Sequence, residues 1–146
     1  MKILVAEDDP NTRDGLRDIL EAEGYDVLTA PDGQAAIEVY RAEKPQVLCL
    51  DIMMPQVNGY DVCREIRRTD PHTPILFISA KSEEIDKVLG LEIGADDFIV
   101  KPFGVKEVVA RIRAVPRRAI AANLASDRPK NYSFMLDDLR VVPDEL

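Results

Sequence analysis

The stretch VLCLDIMMPQVNG, Val47–Gly59, decides how the chain folds. It opens on an apolar run without alternation, the pattern of a strand buried on both faces, and Asp51 follows where the run gives way to a turn. An acid between VLCL and IMMP must be either well hydrogen-bonded or used. Lys2–Ala6, Asp26–Thr29, Ile75–Ser79 and Phe98–Val100 join Val47–Leu50 as strands. Between them Leu16/Ile19/Leu20, Ala36/Ile37/Tyr40, Val62/Ile66, Ile85/Val88/Leu89 and Val105/Val108/Val109/Ile112 recur at helical spacing, each marking one apolar helix face. Gly24, Gly33, Gly59 and Gly94 fall near element ends, and Pro45, Pro74 and Pro102 in connections. The pattern is (βα)5. Right-handed crossovers make it a doubly wound α/β fold on a parallel five-stranded sheet, with periodicity leaving the strand order open.

Composition agrees with one soluble domain. The chain has 146 residues, 46% hydrophobic and 32% charged, too apolar for wholesale disorder. It has no apolar stretch of membrane-spanning length, and its start, MKILVAEDD, turns acidic before a secretory signal could form. A net charge of −8 argues against a broad basic face for nucleic acid. Cys49 and Cys63 stand without a CxxC pair, and the chain has one histidine, so neither a thiolate zinc site nor a disulfide framework follows. Two buried thiols fit a reducing cytoplasm.

Ligands of open α/β sheets bind beyond the carboxyl ends of the strands. Here the first strand ends in Glu7-Asp8-Asp9, the third in Asp51, the fourth in Ser79 and the fifth in Lys101-Pro102. Carboxylates gathered without compensation repel and raise one another's pKa. A hard cation such as Mg2+ resolves that repulsion, and a lysine and a hydroxyl can hold the oxygens of a phosphoryl group. The set reads as a phosphoryl-transfer site with an aspartate nucleophile.

The runs ILVAEDDP, VLCLDIMMPQVNGYDV, ILFISAK and GADDFIVKPF resemble the receiver domain of bacterial two-component response regulators over about residues 1–120. The resemblance implies a flavodoxin-like strand order 2-1-3-4-5 and reversible phosphorylation by a sensor histidine kinase. It makes Asp51 the phosphoacceptor, and Asp8 and Asp9 the acidic pair that binds Mg2+ with Asp51 and the backbone carbonyl of Met53. Ser79 becomes the switch hydroxyl, Lys101 the phosphate-pairing lysine, and Phe98 the aromatic that swings inward on activation. Phenylalanine there departs from the commoner tyrosine. The Lys101–Pro102 bond is expected to be cis, and Pro55 and Gly59 to shape the loop after Asp51. Such a domain is a signalling phosphoacceptor rather than an enzyme. Its own phosphoryl group should be lost slowly, since Met53 and Lys81 flank the water's approach and neither serves as a base.

Other chemistries fit less well. A haloacid dehalogenase-type hydrolase would want an acid where Met53 stands, and a P-loop kinase would want a glycine-rich phosphate loop that the chain lacks.

GLEIGADDFIVKPFGVKEVVARIRAV resembles the OmpR/PhoB class, whose output is a winged-helix DNA-binding domain. The resemblance implies that phosphorylation forms a homodimer across the fourth helix, fifth strand and fifth helix, pairing Lys87 with Glu107, Asp97 with Arg111, and Glu92 with Arg113. Pro116 is expected to end or kink the fifth helix. Residues 1–118 then form the receiver and 119–131 a linker. Residues 132–146, with a half-exposed strand over Ser133–Pro143, form the start of an output domain. DNA would be reached only through that missing output domain. A stand-alone receiver acting by protein–protein interaction or phosphorelay is the alternative.

Overall fold

Strands and helices alternate strictly: β1 (Lys2–Ala6), α1 (Pro10–Ala22), β2 (Asp26–Ala30), α2 (Gly33–Glu43), β3 (Val47–Asp51), α3 (Gly59–Arg67), β4 (Ile75–Ala80), α4 (Ile85–Ile93), β5 (Asp97–Lys101) and α5 (Val105–Ser126). This computed structural model describes residues 1–80 and 85–126, leaving aside the side chains of 85–87 and 117–126. Lys81, the side chain of Lys87 and the strand read over Ser133–Pro143 lie outside the described residues. All strand pairs are parallel and the order is β2-β1-β3-β4-β5, as the resemblance implies.

Alternation along the strands divides the core into two layers. Leu4, Ala6, Leu48, Leu50, Ile75 and Phe77 face one way and pack with Ala36, Ile37, Tyr40, Val62 and Ile66 of α2 and α3. Ile3, Val5, Val47, Cys49, Leu76, Ile78 and Ile99 face the other way, against Leu16 and Leu20 of α1 and Val108, Ile112 and Val115 of α5. Covered on both faces, these strands have no polar face to offer, which is why their sequences run apolar without a break.

Helix starts follow their caps. Asp32 caps α2 through the Ala35 amide, and Asn58 with Asp61 forms a reciprocal capping box on α3. Of the end or kink expected at Pro116, the end is corrected: α5 runs through it to Ser126, into the stretch read as linker. Pro116 forfeits one helical hydrogen bond, at a cost of about 3 kcal/mol. The buried residues Val108, Ile112 and Val115 hold the helix upstream, and the alanine-rich run after Pro116 favours helix downstream.

Among the described residues no helix is long and apolar enough to cross a membrane.

Candidate phosphoacceptor site

Register brings the candidate residues to one edge of the sheet. Ala6 lies beside Leu50, Asp51 beside Ile78, Ser79 beside Val100, and Ala80 beside Lys101. The loop after β3 folds tightly back, with the Gly59 amide donating to the Ile52 carbonyl at 2.9 Å. A Cβ on Gly59 would lie 2.6 Å from the Asp51 carbonyl oxygen and 2.9 Å from Ile52 Cα, so close an approach requires glycine.

Asp51 is buried at 3% exposure. Lys101 Nζ lies 3.4 Å from its Oδ1 and 3.0 Å from Glu7 Oε1, the latter an ion-pair contact not aimed as a hydrogen bond. Burial, followed by the charge and hydrogen bonding of Glu7, pushes the Asp51 carboxyl up to about 7 against the opposing pull of Lys101. Burial works against the charge on Lys101, but the Glu7 and Asp51 carboxylates prevail and raise its pKa. Two acids and one lysine thus share a buried space without neutralising one another.

The cluster differs from expectation in its acids. Carboxylate oxygens of Glu7, Asp8 and Asp51 lie within 4.8 Å of one another, a geometry and all-oxygen donor set that suit a hard divalent cation. Asp9, assigned to that role from the resemblance, instead caps α1: its Oδ2 accepts from the Thr12 amide at 3.0 Å and the Thr12 hydroxyl at 2.6 Å. Those hydrogen bonds, the hydroxyl's foremost, lower its pKa. Glu7, part of the strand-end set but given no cation role by the resemblance, takes the place of Asp9, and the signal for it is in the sequence. Glu7 directly continues the apolar run ILVA, whereas Asp9-Pro10 is a cap followed by proline at the first helical position. Glu7 is fully buried, and its amide still bonds to the sheet at Ala30.

Ser79 is buried at 1% exposure and its Oγ has no hydrogen-bond partner among the described residues. An unsatisfied buried hydroxyl costs about 1–3 kcal/mol, which marks a site waiting for an acceptor. Phe98 is already turned inward, packed edge-on against Phe77, which meets Tyr60 in the same way. Gly90 of α4 makes room for it, since a Cβ there would lie 2.6 Å from the Phe98 ring. Met53 stands exposed beside the site, and the Lys101–Pro102 bond is cis.

On the face of α4, β5 and α5, Asp97, Glu107, Arg111 and Arg113 are paired within the chain. Arg111 Nη1 donates to both Asp97 oxygens at 3.0 Å, and its Nε donates to Glu107 at 3.2 Å. Within the chain Arg113 pairs with Glu23 of the α1 cap at 2.6 Å, and Glu92 is exposed on α4.

Comparison with known proteins agrees with this geometry. The chain is 42% identical over 146 residues to the alkaline phosphatase synthesis transcriptional regulatory protein PhoP of Bacillus subtilis, covering 98% of this chain and 61% of that protein. It is 42% identical over 153 residues to the alkaline phosphatase synthesis transcriptional regulatory protein SphR of Synechococcus elongatus, covering 99% and 58%. The chain thus spans about three-fifths of the length of these relatives. The solved receiver domain of the Francisella response regulator 1452 superposes with a TM-score of 0.74 at 31% identity, covering 80% of this chain and 97% of that one. The family model described as response regulator receiver domain matches residues 3–113. That match reaches all five strands and the first turns of α5, and the chain belongs to the response regulator receiver domain family.

Proposed function

We propose that this receiver takes a phosphoryl group onto Asp51 from the phosphohistidine of a sensor histidine kinase, and relays the event to transcription through an output domain that binds DNA. The observation that carries the reading is the placement of buried Asp51 beside Lys101, Glu7 and Asp8 at the carboxyl edge of the sheet. The transcriptional role is supported by the printed names of the relatives. The domain works as a phosphoacceptor, not as a turnover enzyme, and in the cytoplasm, where such a kinase would meet it.

Ionised Asp51 attacks the phosphorus. An O–P bond forms as the P–N bond breaks, and the electron pair stays with the imidazole nitrogen, which takes up a proton. Lys101 pairs with the transferred oxygens, and the Ser79 hydroxyl finds among them the acceptor it lacks among the described residues. Glu7, Asp8 and Asp51, with the Met53 carbonyl, would hold Mg2+, which when bound offsets the negative charge of carboxylates and phosphoryl group. A groove of about 560 Å³ between α1 and the loop after β5, lined by Leu16, Ile19, Pro102 and Phe103, opens beside Lys101 and gives the donor protein a surface to approach.

Recruiting Ser79 and holding Phe98 inward biases the face of α4, β5 and α5 toward a homodimer. The phosphoryl group shifts that balance only by its differential affinity for the two states. Asp97 and Arg111 already pair within the chain, so their interchain pairing exchanges partners and adds little.

Intact mass after treatment with acetyl phosphate and Mg2+ tests the reading. One added phosphoryl group is expected, absent in Asp51→Asn and in excess EDTA. Full labelling of Asp51→Asn would refute the assignment.

A further inference from the structure

Between β1 and α1 the chain leaves the sheet and enters a helix within the segment Glu7–Asp9, which carries two of the three clustered carboxylates. Glu7 and Asp9 are each tied down by side-chain hydrogen bonds. Glu7 Oε2 accepts from the Asp9 amide at 3.2 Å, and Asp9 caps Thr12. Asp8 is the exposed member of the cluster, so its position depends on its backbone.

One residue grips that backbone on both sides. The Arg13 amide donates to the Asp9 carbonyl at 2.9 Å as the first bond of α1. The Arg13 guanidinium reaches back along the helix, and Nη1 donates to the Glu7 carbonyl at 2.9 Å in a part-buried setting. The carbonyls before and after Asp8 therefore accept from the same residue. A guanidinium suits this task because it stays charged and its donors point in fixed directions.

We propose that Arg13 is a positioning residue for the divalent-cation site: by clamping the carbonyls that flank Asp8, it holds the Asp8 carboxylate in register with Glu7 and Asp51. The proposal rests on the reading that this acidic cluster takes a cation. Charge alone predicts the opposite effect, since a positive group near the cluster weakens cation binding. The clamp strengthens it by fixing the ligand before the ion arrives, as outer partners of metal ligands do.

The two influences separate by experiment. Mg2+ titration by calorimetry compares wild type, Arg13→Met and Arg17→Met. Arg17 supplies a matched control, because it lies on the same helix and pairs with exposed Asp14 rather than with the β1–α1 turn. The clamp predicts about tenfold weaker Mg2+ binding in Arg13→Met and unchanged binding in Arg17→Met. Mg2+ binding by Arg13→Met as tight as wild type, or tighter, would overturn it. Should Arg13→Met fail to fold, Arg13→Lys keeps the charge without the fork, and a loss of affinity there is still required.

Amide exchange in the metal-free protein provides a second readout. The Asp9 amide should exchange faster in Arg13→Met than in wild type, with the amides of β3 unchanged. If wild type binds no Mg2+ while Asp9 exchange accelerates, the cation reading falls and the clamp stands. If Asp9 exchange is unchanged, the clamp is wrong.

Discussion

Each end of the sheet holds an aspartate among polar partners, and the two are treated in opposite ways. At the amino end Asp70 accepts from the amides of His72 and Thr73 at 3.0 Å each, and from the hydroxyls of Thr73 and Tyr40. Partial burial opposes its charge, but the Thr73 and Tyr40 hydrogen bonds win and hold its carboxyl well below the usual range. Tyr40, by burial and then by Asp70, is pushed up to about 12 and stays a donor. Nearby, Arg67 donates to the Asp70 and Gly94 carbonyls and pairs with Asp96, tying α3 to the turn before β5. At the carboxyl end Asp51 has one lysine, a competing acid and a neighbouring hydroxyl with no partner among the described residues. A carboxylate whose lone pairs are filled is a latch. One left short of partners in a buried space is poised to take a ligand, and stability has been given up to keep it so.

This contrast can be pressed at several points. The largest effect is expected from Gly59→Ala, which drives a Cβ into the backbone of Asp51 and Ile52. It should cost about 3 kcal/mol by denaturant unfolding and slow labelling by acetyl phosphate, because the chain end that aims Asp51 must shift. An alanine accepted without loss of stability would show that the loop is looser than its contacts imply.

Asp70→Asn comes next, with a cost of about 2 kcal/mol at neutral pH, since an amide has one acceptor oxygen and cannot accept from both the two hydroxyls, which share Oδ2, and the two backbone amides, which share Oδ1. The folded-state pKa of Asp70 lies below its unfolded value, so its contribution is present above the unfolded pKa and lost as pH falls through the folded one. The gap between wild type and Asp70→Asn should therefore narrow in acid. A gap that is constant from pH 7 to strong acid would mean the hydrogen bonds are not to the ionised form.

The smallest effect concerns persistence of the phosphorylated state. Exposed Met53 beside the site offers no group to orient water. Met53→Asn should hasten loss of the phosphoryl group without altering stability, measured by mass over time at fixed Mg2+. Unchanged decay would remove Met53 from the account.

Strands β1, β3 and β4 could be read from sequence to within a residue at each end because burial on both faces leaves an unbroken apolar run. Asp51, Ser79 and Lys101 followed, since each stands where such a run stops. The choice among Glu7, Asp8 and Asp9 was harder, because it turns on where the strand exits and the helix is capped, a matter of one residue. The clamp by Arg13 and the bond from Tyr40 to Asp70 join residues with no shared period, and periodicity carries no signal for them. Pro116 misled in another way: a local breaker was outweighed by the buried turn before it and the alanines after it.

The central claim is that the two poles differ in sign, one stabilising the fold and the other straining it. Thermal unfolding of Asp51→Asn and Asp70→Asn, side by side with wild type in metal-free buffer at neutral pH, tests this directly. Replacing Asp51 removes a carboxylate from a buried acidic cluster and should raise the melting temperature, whereas replacing Asp70 should lower it. A melting temperature lowered by Asp51→Asn, or unmoved by Asp70→Asn, would contradict the account.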